Sequence, residues 1–269
     1  MSLPTTETLV LREDGFVLHI TLNRPESRNA MSLQMTQELR AVFSAIAQSD
    51  SIRAVVLRGA GGHFCAGGDI KDMAGARMQA VQSGNDEAYA ELNRAFGHLI
   101  TQVDHAPQVV IAVLEGAVLG GGFGLACVSD VAISLESTQF GLPETGLGIL
   151  PAQIAPFVVQ RVGLTQARRL ALLGARFNGA EAARVGIVHE AVADSAALDA
   201  ALDTTLAQIR KCAPGANRAT KALLHRVGHE PLESLLDDAA RQFARAVAGP
   251  EGAEGTMAFV QKRPANWAE

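Results

Sequence analysis

The chain has 269 residues and a formal net charge of −5, long enough for one large domain or one domain with a small appendage, since single cores stop growing at roughly 250–300 residues. Apolar residues make up 48% and charged residues 19%, which excludes a disordered polyelectrolyte, and the acidic balance argues against nucleic acid as the partner, because duplex binding needs a basic face. Cys65, Cys127 and Cys212 have neither disulfide nor metal-ligand spacing, so a reducing cytoplasm and no metal are expected. Met1 to Glu13 lacks the charged start and apolar core of a signal peptide and no apolar run approaches a membrane span, so neither is expected.

In chain order, Val17 to Leu22 reads as a strand closed by the turn Asn23-Arg24-Pro25. Met35, Leu39, Val42, Phe43 and Ile46 then share one face of a helix. Arg53 to Leu57 is a short apolar run of the kind that lies buried within a sheet. Asp72 to Glu87 is polar, holds Gly75 and Gly84 and has no period, so a mobile loop or loosely held helix is expected. A helix follows through Leu92, Phe96, Leu99, Ile100 and Val103, then strands over Val109 to Leu114 and Val131 to Leu135. Strand-then-helix passages of this kind predict an α/β class. Beyond, helices dominate: one from Thr165 as N-cap to a stop at Gly174, one over Ala180 to Val185, and one opened by Pro231 and closed by Gly249-Pro250.

Two glycine-rich turns follow two of these strands: His63-Phe64-Cys65-Ala66-Gly67-Gly68-Asp69 and Leu119-Gly120-Gly121-Gly122-Phe123-Gly124. Glycines allow a ligand close to bare main-chain N–H groups, and a helix starting there adds positive potential. Two such turns at neighbouring strand ends can converge on one oxygen, as a thioester enolate requires. Either turn alone is more often a packing device. The second lacks the third glycine of a dinucleotide fingerprint, and neither a Walker pattern nor a G-x-S-x-G elbow is present.

Together with Phe140-Gly141-Leu142-Pro143-Glu144, the opening Asn23-Arg24-Pro25 and Arg28-Asn29-Ala30, and the closing Phe259-Val260-Gln261-Lys262-Arg263, these turns resemble the crotonase (enoyl-CoA hydratase/isomerase) superfamily over nearly the whole chain. The resemblance implies a ClpP-like spiral of repeated ββα turns over residues 1–200 and a helical trimerisation region over 201–269, assembled as a homotrimer or a dimer of trimers. It implies an acyl-CoA thioester substrate, no cofactor beyond the coenzyme A of that substrate, and no membrane partner. It places the oxyanion donors on the N–H groups of Gly68 and Gly121 and the catalytic carboxylate on Glu144. Arg28, Ala30, Ala66, Gly67, Asp69, Ile70, Gly120, Gly124 and Pro143 would line the substrate, with Asp69 chiefly fixing its own turn. Phe259 and Lys262, from a neighbouring subunit or a swung tail, would approach the nucleotide.

Two departures qualify the pattern. A typical hydratase of this superfamily carries a second glutamate where this chain has Gly124, and Pro151-Ala152-Gln153-Ile154-Ala155-Pro156-Phe157 replaces its usual glycine-rich segment. The combination is similar to bacterial hydratases of branched or carboxylated substrates, methylglutaconyl-CoA or isohexenylglutaconyl-CoA. A vacated position at Gly124 would then make room for a substrate carboxylate. The expected activity is hydration of a 2-enoyl-CoA. The alternatives are a 3-enoyl-CoA to 2-enoyl-CoA isomerase working with Glu144 alone, and a degenerate CoA-thioester binding protein.

Overall fold

The computed structural model describes residues 2–268. β1 (Leu9–Asp14) and β2 (Val17–Leu22) form an antiparallel hairpin whose turn uses Gly15 at φ 57°. α1 (Leu33–Ile46) begins at Ser32, whose hydroxyl accepts the Met35 N–H, and buries the apolar stripe read from the sequence. Then come β3 (Ala54–Gly59), α2 (Ile70–Ser83), α3 (Glu87–Asp104), β4 (Val109–Leu114), β5 (Ala117–Leu119) and α4 (Gly121–Val128). β6 (Val131–Leu135), β7 (Gln139–Gly141), α5 (Ala155–Leu172), β8 (Arg176–Asn178), α6 (Gly179–Val185) and β9 (Glu190–Val192) complete the α/β part. α7 (Ser195–Arg210), α8 (Pro214–Arg226), α9 (Leu232–Ala248) and α10 (Pro250–Gln261) follow.

The strands form a large sheet in the order β1-β2-β3-β4-β6-β9, parallel from β2 onward, and a small one in the order β5-β7-β8. Each passage runs from a large-sheet strand to a small-sheet strand and then to a helix: β4–β5–α4, then β6–β7–α5. In the passage after β3, Cys65 supplies the small-sheet position through its bridge to Val118. This is the crotonase spiral of ββα turns. Alternation across the pleat explains how it is filled. Val55, Leu57, Val110 and Ala112 face the main core with α1 and α3, whereas Val56, Ile111, Val113 and Ile133 pack against Leu198, Leu202 and Ile209 of α7.

Several expectations change. Of the two readings of residues 72–87, loop or loosely held helix, the helix is the one found: residues 72–83 are most of α2, which buries only Ala76 and Ala80. α5 is two helical stretches joined across Gly163, φ 73° and ψ 161°: the second starts beside the Thr165 read from the sequence, and the first, from Ala155, was not read there. Pro250 does not merely end α9; it opens α10. α7 spans position 200, so the layer that covers the sheet reaches Arg210.

The tail is tied to its own chain. The Arg53 guanidinium donates to the carbonyls of Ile209, Arg210 and Cys212 and, at 2.7 Å, of Trp267, while the Trp267 indole donates to Lys211 O. Arg53 stands at the start of β3, so the tail is anchored at the strand end opposite the glycine turns. Apolar side chains remain uncovered on these helices, among them Leu232, Phe243 and Phe259, the last 84% exposed.

Candidate active site

The site begins with hydrogen bonds that set two turns side by side. Cys65 N–H donates to Ala117 O and Leu119 N–H to Cys65 O, both at 2.9 Å, so residues 64–66 run as a parallel strand beside β5. Both turns therefore leave one edge together. Gly120 holds φ 49°, a backbone conformation that favours glycine, and a Cβ there would be in ordinary contact, at 3.5 Å, with Gly67 Cα.

The first turn is clamped from below. Met31 N–H donates to Gly67 O at 2.7 Å and Asp69 N–H to Met31 O at 3.0 Å, which leaves the intervening Gly68 N–H pointing away from that bridge, without a partner among the described residues. Gly121 opens α4, where its N–H has no carbonyl one turn back to accept it. These are the two N–H groups on which the family resemblance places the oxyanion, and both are unspent among the described residues.

Glu144 follows β7 in a short 3₁₀ turn closed by Gly148 at φ 74°, and Thr145 Oγ1 donates to Ala171 O at 2.9 Å to fasten it. β7 is itself held in register by rings: Phe140 stacks on Phe177 at 5.8 Å, and Phe123 of α4 meets both edge-on. Such contacts contribute about 0.5–1.5 kcal/mol each beyond area burial. Glu144 Oε1 lies 3.0 Å from the place a Cβ on Gly120 would take, and Glu144 Oε2 is buried without a hydrogen-bond partner. Burial raises its pKa above the ordinary carboxylate value of 4.5, and its own backbone N–H moderates the rise. A half-buried carboxylate with an unspent oxygen beside two unspent N–H groups can move protons on a bound acyl chain.

These groups open on one cavity of about 720 Å³. Its walls are mostly apolar, from Met31, Met73, Phe96, Ile149, Leu150 and Ile154, with Thr36, Tyr89, Asn93 and Gln153 as neutral polar points and Asp69, Asp72 and Asp86 as further carboxylates; among the described residues no Lys, Arg or His lines it. α2, expected as a mobile cover, contributes Asp72 and Met73 to the wall. Asp72 accepts the Leu33 N–H, which ties α2 to the start of α1.

Not every expected residue lines this cavity. Gly124 is buried beneath Ile154: a Cβ there would overlap Ile154 Cγ2 and stand 2.9 Å from Ile100 Cδ1. The space expected for a substrate carboxylate is thus filled by an apolar side chain. Ile70 is 84% exposed and lies outside the cavity wall. Asp69 is at the wall but already engaged, pairing with Arg24 at 2.7 Å and capping α2 through the Lys71 and Asp72 N–H groups. Burial opposes its ionisation, yet Arg24 and those N–H groups outweigh burial and lower its pKa. Ala66 and Gly67 act through backbone, to Arg28 O and from Met31 N–H, and Ala30 O accepts from Arg24. Pro143 sets the approach to Glu144 with φ −78°.

Arg28, exposed at φ 52°, has a guanidinium with no partner among the described residues. Phe259 and Lys262 lie exposed on and after α10, away from this cavity. His63 is structural, since its Nδ1 accepts the Ala117 N–H at 3.1 Å. The residue that sequence reasoning undervalued is Asn29. It is fully buried at φ 56°, its Oδ1 accepts the Arg24 N–H, and its Nδ2 donates to Ala60 O and His63 O, joining the first turn to the loop below it. The available signal was the residue type, because Asn tolerates left-handed backbone.

Comparison with known proteins agrees with this geometry. The chain is 34% identical over 262 residues to a probable enoyl-CoA hydratase of Rhizobium meliloti, covering 97% of this chain and 98% of that protein. It is 30% identical over 277 residues to the peroxisomal Delta(3,5)-Delta(2,4)-dienoyl-CoA isomerase of Arabidopsis thaliana, covering 100% and 98%. Among solved structures it superposes on Pseudomonas aeruginosa AtuE with a TM-score of 0.95 at 65% identity, covering 98% of this chain and 100% of that one. An enoyl-CoA hydratase/isomerase from Marinobacter aquaeolei gives 0.93 at 61% identity, covering 97% and 99%. The enoyl-CoA hydratase/isomerase family profile spans residues 12–269, taking in both glycine turns, Glu144 and the helical tail. With two unspent N–H groups and one half-buried carboxylate on a ββα spiral, the chain belongs to the enoyl-CoA hydratase/isomerase family of the crotonase superfamily.

Proposed function

We propose that the protein hydrates a branched 2-enoyl-CoA, with Glu144 as its one acid/base group. The observation that carries this reading is the buried, unpartnered Glu144 Oε2 sharing a cavity with the Gly68 and Gly121 turns. Glu144 removes a proton from water as the water oxygen bonds to C3, and the C2=C3 π electrons move toward the thioester. The two N–H groups hold the resulting enolate oxygen. The carboxylic acid so formed then returns the proton to C2, which regenerates the carboxylate and completes the addition of water. A cavity of about 720 Å³ lies within the usual range for a drug-sized ligand. The wall carries Asp69, Asp72, Asp86 and Glu144 and, among the described residues, no cation, so a carboxylated chain would rely on neutral donors such as Tyr89 and Asn93 against like charge, which favours an alkyl branch.

One observation favours a second reading. With Ile154 over Gly124, Glu144 has no carboxylate partner at that position, and a lone carboxylate suffices to carry a proton from C4 to C2 in a 3-enoyl-CoA isomerase. Crotonyl-CoA, a branched glutaconyl-CoA and a 3-enoyl-CoA, each assayed with product identification, separate the two. The expected result is a 3-hydroxyacyl-CoA from the branched ester. A 2-enoyl product from the 3-enoyl ester, with no hydration, selects the isomerase; binding without turnover of any selects a thioester-binding protein.

The reading places the protein in a reducing cytoplasm, with coenzyme A arriving on the substrate and Arg28 near its phosphates. We also propose a homotrimer or dimer of trimers, because α9 leaves Leu232, Leu236, Phe243 and Val247 each more than half exposed along one face. Phe259 and Lys262, held at the far end of the sheet by their own chain, would reach a nucleotide only across such an interface. Sedimentation equilibrium should give three or six times the mass of 28.2 kDa, and Phe243→Glu should lower it; a monomer at micromolar concentration sinks this assembly.

A further inference from the structure

Gly121 and Gly124 lie three residues apart on α4 and so share one face of that helix, about 4.5 Å apart along its axis. Gly121 offers its N–H to the thioester oxygen on the reading above, and C3 is two bonds beyond the carbonyl carbon. The side chain next along that face is not one of α4. It is Ile154, which covers Gly124, is 4% exposed and forms part of the cavity wall.

The segment that delivers Ile154 is firmly seated. Ile154 N–H donates to Pro151 O at 3.2 Å, and the neighbouring Gln153 lies in a slot in α3 above Gly97. A Cβ on Gly97 would overlap Gln153 Oε1 and stand 2.7 Å from its Cδ. Gln153 Nε2 donates to Asn93 Oδ1 at 2.9 Å and its Oε1 accepts from Arg94 at 3.1 Å. A glycine inside a helix costs about 1 kcal/mol relative to alanine. Here its bare backbone admits the amide that pins the turn. Ile154 is thus presented as a fixed apolar wall, opposite in character to Glu144, which reaches over Gly120 at the start of the same helix.

We propose that Ile154 is a specificity-determining residue, giving an alkyl branch at C3 of the acyl chain an apolar surface to bury against. This inference rests on the reading of the site as one for 2-enoyl-CoA esters. A hydrogen at C3 leaves the contact unmade, whereas a methyl or longer branch fills it. A methylene in an apolar pocket changes a specificity ratio by roughly 10–200-fold, so the preference is large enough to measure.

The test compares 3-methyl-2-hexenoyl-CoA with 2-hexenoyl-CoA by kcat/KM, and the saturated 3-methylhexanoyl-CoA with hexanoyl-CoA by calorimetric Kd, in wild type, Ile154→Val and Ile154→Ala. Wild type should prefer the branched member of both pairs. Ile154→Ala should reduce that preference by roughly tenfold, with Ile154→Val between and well folded. The proposal is overturned if both ratios stay unchanged from wild type through Val to Ala, or if the branched esters gain. The saturated pair reports the contact without turnover, so failure of the hydratase reading alone appears as a shifted Kd ratio with neither enoyl ester hydrated.

Discussion

Glu144→Gln should lower kcat/KM for hydration by roughly 10²–10⁴-fold, the usual worth of one positioned acid/base group, while Kd for a saturated acyl-CoA stays nearly constant. Glutamine keeps the shape of the side chain over Gly120 but can neither take a proton from water nor return one to C2. In wild type, turnover should fall as pH drops through the Glu144 pKa, and because burial raises that pKa above 4.5, the acid limb should lie above the ordinary carboxylate range. Linkage gives a second readout with its own sign. A carboxyl whose folded pKa is raised contributes stability that is full below the unfolded pKa and lost as pH rises through the folded one. Ionised Glu144 therefore burdens the fold at neutral pH, and Glu144→Gln should melt higher than wild type at pH 7, the difference closing toward pH 4. Near-normal turnover in the variant, or loss of ester binding together with turnover, would remove Glu144 from the chemistry.

The second large effect should come from Gly121→Pro, which deletes one oxyanion donor and should cost about 10²–10³ in kcat. Proline is tolerated at the first position of a helix, where its fixed φ suits the turn and the missing N–H breaks no helical bond. Gly121→Ala is the control, because it keeps the N–H while adding a Cβ that would stand 3.3 Å from the Phe96 ring. The quantity to read is the ratio of kcat between the two variants, measured on samples shown by circular dichroism to be folded. If proline and alanine prove equally active, the N–H of Gly121 does not hold the thioester oxygen.

The limits of the sequence reading show in particular elements. The α1 stripe from Met35 to Ile46 and the apolar runs of β3 and β4 announced themselves, because each satisfies a single period over its length. The three-residue strands β5, β7, β8 and β9 did not, since so few residues carry no period. They matter most for the site: β5 and β7 bring the Gly120 turn beside Gly67 and Glu144 over Gly120. α2 was obscured by its own exposure, as a helix that buries two alanines shows almost no apolar stripe.

By itself the sequence determined the chemical inventory: two glycine turns able to offer bare N–H groups, one glutamate after a proline, and glycine where a second glutamate would stand. It determined these because they are properties of residue type and local spacing. Only the tertiary structure decided what the missing glutamate means. Gly124 and Ile154 are thirty positions apart, and nothing in local patterning tells that the second covers the first. The volume beside Gly124 is a sum over α3, α4 and the turn before α5, and Gly97 makes room for Gln153 from a distant helix. Close packing lets such space belong to whichever side chain reaches it first, and here an isoleucine from another element takes the place where the sequence alone left an empty site.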